Sequence, residues 1–206
     1  DYTLNTIPYN PYPYTTATGN ALTILYTDDE FSDVIYLPFG FCFYDSIFYA
    51  FTVGSNGLMT FDTTNKAPCD NAYTIGASTP QIPGSGGGAQ CNRFATYYPR
   101  ASLMGNFSDL DPTASASPAG RKIEWRIEGN SPCRRAIVSF YNVGVFGGSC
   151  GSSFPNTFQM VIYESTGIID IFTEQKNWCN SSPSSGRAIM GIQEWSWNSA
   201  VPIPGR

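Results

Sequence analysis

Lys122-Ile123-Glu124-Trp125-Arg126-Ile127-Glu128 alternates without a break, with Ile123, Trp125 and Ile127 on one face and the charged residues on the other. Successive side chains of a strand point to opposite faces. This period of two therefore predicts a half-buried antiparallel strand with a solvated outer face. Further strand-like runs surround it. Residues 136–143 and 157–164 read as strands joined by a Gly/Ser-rich loop, and Ser165-Thr166-Gly167 turns the chain into a strand at 168–172. Residues 187–193 read as another. Upstream, a strand at 34–37 ends at Pro38, and 48–53 runs through Ser55-Asn56-Gly57 into 58–61. Asn-Gly between two β-rich runs predicts a tight hairpin, because such turns need positive φ. No window longer than about ten residues keeps helical spacing without a Gly or Pro break. The expected fold is all-β: an antiparallel β-sandwich, jelly-roll-like and disulfide-stapled, with long ordered loops.

Composition narrows the class. The 206 residues suit a single extracellular domain spanning 1–206, with an extended Pro/Tyr-rich segment at 1–24 and a long loop excursion at 62–100. Charged residues are 13% and aromatics 15%, which excludes a disordered, highly charged chain. The net charge of −5, with Lys and Arg scattered, argues against nucleic acid and anionic membranes as partners. No apolar run approaches the ~18 residues of a membrane span, so no membrane insertion is expected. The chain opens at Asp1, which reads as a processed product or a domain cut from something longer.

Six dispersed cysteines and no histidine point to disulfides in an oxidising compartment instead of zinc. Pairing 136–143 with 157–164 makes partner numbers sum to about 300, and pairing 160–164 with 169–173 gives about 333. Those registers bring Cys179 near Cys150, so Cys150–Cys179 is expected. Cys69–Cys91 would close the central excursion, leaving Cys42–Cys133 by elimination.

Longer patterns carry a family resemblance. They are Asp28-Asp29 through Leu37-Pro38-Phe39-Gly40-Phe41-Cys42-Phe43-Tyr44, then Gly54-Ser55-Asn56-Gly57 and Thr60-Phe61. Asp109-Leu110-Asp111-Pro112, Pro132-Cys133-Arg134-Arg135, Thr157-Phe158-Gln159, Tyr163-Glu164 and Ala188-Ile189-Met190-Gly191-Ile192-Gln193 complete the set. In order and spacing they resemble a β-sandwich module of secreted and cell-surface adhesin-like proteins of Bacteroidota, gliding-motility-associated and type IX-secreted. The layout is also distantly similar to the nidogen-type NIDO domain. The resemblance implies a cell-surface module and carries no catalytic residues. Asp45 stands where the family has glycine after Phe-Tyr.

Without histidine, Ser-His-Asp, Cys-His and His-metal arrangements are excluded, and the expectation is that the chain is not an enzyme. Glu124 and Glu128, or Asp109 and Asp111, could formally serve as a glycosidase pair. The spacing of Glu124 and Glu128 along a strand puts them ~13 Å apart, outside either carboxylate geometry. Asp28, Asp29 and Asp33, with Asp109 and Asp111, offer hard oxygen ligands, so Ca2+ is the one cofactor to test. The alternative is that these aspartates simply bond nearby backbone N–H groups in turns. Trp178, Trp195, Trp197, Tyr97 and Tyr98 are candidates for stacking on glycans or packing on a neighbour, with Trp195 and Trp197 on one face if that stretch is a strand. Asn106 and Asn180 match the N-glycan acceptor pattern. The resemblance adds Ser46 and Thr63 as O-glycan candidates. The combined expectation is a non-catalytic structural or adhesive unit of a surface filament or stalk, partnered by neighbouring protein domains or subunits. A carbohydrate-binding module is the alternative. The N-terminal Pro8-Tyr9-Asn10-Pro11-Tyr12-Pro13-Tyr14 suits an extended strap laid across the module or its neighbour.

Overall fold

The computed structural model describes residues 2–64, 66, 71, 82–83, 99–147, 149–177, 179–182 and 185–204. Among these, twelve strands form two antiparallel sheets. One sheet has the order β1 (Asn20–Ala21), β7 (Lys122–Glu128), β8 (Arg135–Val145), β9 (Gly151–Tyr163) and β10 (Ile169–Gln175), with β6 (Leu110–Asp111) beside the far end of β8. The other runs β12 (Ala200–Pro202), β11 (Ile189–Gln193), β5 (Ser102–Phe107), β4 (Leu58–Thr60), β3 (Ser46–Gly54) and β2 (Ile35–Phe43). We call these the β8 sheet and the β5 sheet. A single 3-10 turn, Thr23–Leu25, is the only helical element among the described residues.

The core lies between the sheets. Ile123, Ala136, Val138, Phe140, Phe158, Met160 and Ile162 come from the β8 sheet; Phe41, Phe43, Phe51, Val53, Met59, Leu103 and Ile192 oppose them. Phe140 and Phe158 are register partners on β8 and β9, and their rings stack at 4.6 Å. Such a pair adds to the area it buries. The register sums are close to those expected: Ala136 faces Ile162 on β8–β9, and Ile169 faces Ile162 on β9–β10. Cys150 and Cys179 are accordingly bonded, with Cα atoms 5.8 Å apart.

The end of β2 differs from expectation. β2 does not stop at Pro38 but runs on to Phe43. It is the outermost strand of its sheet, and the register shift between Tyr36 and Phe41 spans Pro38, so the missing N–H breaks no regular ladder. The β2–β3 hairpin closes through Tyr44 and Asp45, with Tyr44 at φ +50° taking the left-handed position where glycine would be cheapest.

The cysteine pairing by elimination is corrected: Cys42 and Cys133 are free and exposed. Phe41 and Phe43 both point into the core, so period-two alternation sends Cys42 outward. Cys133 sits in the turn after β7, on the other sheet. Cys69 and Cys91 lie outside the described residues.

The outer face of the β8 sheet is not solvated as the alternation suggested. The chain before β1 crosses it from the β10 edge to the β7 edge. Tyr9 lies edge-on against Phe172, and Tyr12 packs on Ile137, Val161 and Phe172. Tyr12 exchanges two hydrogen bonds with Gln159, its N–H donating to Oε1 (3.1 Å) and its carbonyl accepting from Nε2 (3.2 Å). Arg126 Nη2 donates to the Pro13 carbonyl and Lys122 Nζ to the Thr16 carbonyl, each at 2.8 Å. The strap ends as β1, paired to β7.

Candidate metal centre

Asp28 and Asp29 lie in the turn after Thr23–Leu25, ahead of Phe31, which bridges Gly54 on the β5 sheet. The backbone beside them is pinned to the β3–β4 turn. Ser55 N–H donates to the Glu30 carbonyl at 2.9 Å, and Glu30 N–H donates to Ser55 Oγ at 3.1 Å. Asn56, fully buried, is the hub. Its Nδ2 donates to Asp29 Oδ1 (2.8 Å) and to the Asn71 carbonyl (3.1 Å), while its Oδ1 accepts from Leu110 N–H (2.9 Å). Its carbonyl accepts from Ser108 N–H at 3.1 Å. The Asn-Gly turn therefore forms as expected but is buried, and it ties the 28–30 turn to the segment entering β6. Gly57 at φ +90° completes it, since a Cβ there would lie 2.8 Å from the Asn106 carbonyl oxygen.

That clamp brings the two acidic stretches together. Asp28, Asp29 and Asp109 each place a carboxylate oxygen within 4.8 Å of the others. Asp109 is only 2% exposed, and its Oδ2 has no hydrogen-bond partner; nor does the buried Asp28 Oδ1. Asp111 contributes charge from nearby, while its own Oδ1 accepts from Thr113 N–H. Asp33 does not join; it is exposed at the entry to β2. Burial first, then the charges of Asp29, Asp28 and Asp111, pushes Asp109 up to about 8. Burial, followed by Asp29 and Asp111, raises Asp28 to about 6, and burial also raises Asp29. No Lys or Arg forms a salt bridge to these carboxylates among the described residues. A desolvated group of like charges without a counter-ion is suited to a hard cation.

Sequence comparison places this architecture in a family: the chain matches the NIDO-related model over residues 1–202, a stretch that takes in every strand from β1 to β12. The chain belongs to the NIDO-related family. Neither a curated protein nor a solved structure matches it. Family and disulfide together fit an extracellular-type module, and no helix among the described residues is long and apolar enough to cross a membrane.

The remaining candidate residues of this NIDO-related domain fall at separate places. Trp195 and Trp197 lie in the turn between β11 and β12, closed by Glu194 N–H donating to Ser199, so strand spacing does not apply to them. The Arg100 guanidinium brings them together, 4.1 Å from the Trp195 ring centre and 5.8 Å from that of Trp197. Phe48 stacks on Trp195 at 6.2 Å. Trp178, Tyr97 and Tyr98 lie outside the described residues. Asn106 is corrected as a glycan acceptor: it is fully buried, donating from Nδ2 to Asn156 Oδ1 at 2.9 Å. Ser46 and Asn180 are exposed, and Thr63 is half-buried.

Glu124 is also buried, beneath the strap. It accepts from Thr16 Oγ1 (3.0 Å) and Thr16 N–H (3.2 Å), and pairs with Lys122 (2.6 Å) and Arg126 (3.1 Å). Burial alone would raise its pKa; hydrogen bonds from Lys122 and Thr16 outweigh that and hold it below the ordinary range. Glu128 pairs with Arg126 at 2.7 Å. Glu124 is engaged in holding the strap, and Glu128 in pairing with Arg126 and Arg135. Sequence reasoning missed Asn56 as the hub of the acidic site, taking it only as a turn former, because its long-range contacts leave no local signal.

Proposed function

We propose that this NIDO-related domain is a non-catalytic structural and adhesive module of an exported cell-surface protein, a unit of a filament or stalk whose partners are neighbouring protein subunits. The Bacteroidota adhesin-like resemblance of its motifs points the same way. The observation that carries the reading is the outer face of the β2–β3 hairpin. Tyr36 is 76% exposed, Ile47 63% and Tyr49 63%, on the edge hairpin of the β5 sheet. Gly40 sits beneath two of them, where a Cβ would lie 2.9 Å from Ile47 Cγ2 and 3.1 Å from the Tyr49 ring. An apolar patch beside the sheet's outermost strand, where Tyr2 Oη already donates to the Cys42 carbonyl, is suited to another protein surface by area burial. The engagement of Glu124 under the strap supports a non-catalytic role.

Sedimentation velocity tests this. The native domain is expected to self-associate with rising concentration, and Tyr36→Ser with Tyr49→Ser is expected to abolish association without lowering Tm by more than a few degrees. A domain that stays monomeric and binds a defined glycan would overturn the reading in favour of a carbohydrate-binding module. That second reading has one observation of its own, the 42%-exposed Trp195 ring held flat by Arg100 and Phe48. A glycan array with Trp195→Ala as control is its direct test.

A further inference from the structure

We propose that Asp28, Asp29 and Asp109 bind one Ca2+ ion, which fastens the turn leading into the β5 sheet to the segment entering the β8 sheet. The inference is independent of the adhesive reading. Two oxygens bound to one Ca2+ at 2.3–2.6 Å can lie at most about 5 Å apart. The three carboxylates meet that limit, all within 4.8 Å of one another.

A second observation points to a ligand. Asp109 Oδ2, on a side chain 2% exposed, accepts no hydrogen bond, and neither does Asp28 Oδ1. Leaving buried carboxylate oxygens without donors is costly, and a cation satisfies them all at once. The alternative, that these aspartates only cap local turns, accounts for Asp111, which receives Thr113 N–H, but not for the bare oxygens of Asp28 and Asp109. The set contains oxygen only, with no histidine in the chain and no cysteine in the group, so soft transition metals are disfavoured. Mg2+ demands a near-ideal octahedron and keeps most of its waters, whereas Ca2+ accepts several carboxylates in irregular geometry. Asn56 holds Asp29 and Leu110 in place, so the ligands are positioned by the fold before an ion arrives.

The ion's position explains what it would do. Asp28 and Asp29 precede the Phe31–Gly54 bridge of one sheet, and Asp109 immediately precedes β6 of the other. Joining them links the two layers at a point where like charges otherwise push them apart.

The test is thermal unfolding of the native domain in EDTA, in about 10 mM Ca2+ and in the same concentration of Mg2+, with equilibrium dialysis to count bound Ca2+. Binding to the folded state alone raises Tm by about 3–6 °C for a Kd near 1 mM, and by more for a tighter site. Asp109→Asn is expected to lose that shift while melting no lower than the native protein in EDTA, because it removes one buried, repelled charge. Should Asp109→Asn fail to fold, Asp28→Asn provides the same comparison from the less buried side. An unchanged native Tm with no dialysed ion overturns the proposal. So does a full Ca2+ shift retained in Asp109→Asn or Asp28→Asn, or a Mg2+ shift as large as that of Ca2+.

Discussion

Arg134 and Glu164 form the best-defined ion pair on the surface. Arg134 donates from Nε to Oε2 at 2.8 Å and from Nη2 to Oε1 at 2.6 Å, and its backbone N–H adds a third bond at 3.1 Å. The Arg134 hydrogen bonds hold Glu164 down to about 2, against an ordinary value of 4.5. A carboxylate whose folded pKa is depressed stabilises the protein above its unfolded pKa and loses that contribution as pH falls through the folded value. Glu164→Gln should therefore lower Tm relative to native at pH 6–7, by a gap that narrows below about 4.5 and closes near 2. Thermal melts of both proteins across that range check it; a gap that widens on acidification would refute the assignment. At this scale the sequence was half legible. It marked Asp28, Asp29 and Asp109, with Asp33 and Asp111, as candidate oxygen ligands, since residue type shows in a sequence. Their convergence depends on Asn56 bonding at once to Asp29 and Leu110, a contact made 27 and 54 residues away that no local pattern encodes.

Among elements, legibility followed solvation. β7, with one half-covered face, announced itself by alternation. β5 did not, because Ser102–Phe107 is buried at every position. It lies between β4 and β11, with Leu103 facing the main core and Met104 and Phe107 in a second cluster with Phe31, Leu58, Ile82 and Ile189. A strand covered on both faces has no reason to alternate. The registers of β8–β9 and β9–β10 were legible enough to pair Cys150 with Cys179, while elimination failed for Cys42 because it ignored which way a β2 side chain must point. The disulfide joins residues 29 apart in sequence, so its loss frees a loop of that size in the unfolded chain. Replacing both Cys150 and Cys179 by Ser is expected to lower unfolding free energy by about 3–4 kcal/mol. Urea denaturation measures it, and a loss under about 1 kcal/mol would mean that the unfolded chain is already constrained there without the bond.

Taken as a whole, the molecule is a sandwich with a third, incomplete layer: the strap that seals the outer face of the β8 sheet. Glu124 is where strap and sheet are coupled most tightly. Besides accepting from Thr16, its carboxylate lies against Gly19, where a Cβ would fall 2.2 Å from Oε1. Glycine suits position 19 because the strap backbone passes directly over a carboxylate that its ion pairs hold in place. Lys122 and Arg126 hold that carboxylate from either side. Gly19→Ala must push it off those partners, which is expected to destabilise the domain by about 1–3 kcal/mol. Glu124→Ala removes the obstacle but takes from Arg126, only 5% exposed, one of its two carboxylate partners, leaving Glu128, at a cost of about 1–3 kcal/mol. The two effects cannot be additive if they act on one contact. In the double variant the new methyl group occupies space that the carboxylate has vacated, so Gly19→Ala should cost almost nothing there. Urea unfolding of native, both single variants and the double variant closes the cycle, with an expected coupling of about 1–3 kcal/mol. Simple additivity would show that the strap lies on the sheet without being locked to it, and the third layer would then be a covering instead of part of the cooperative fold.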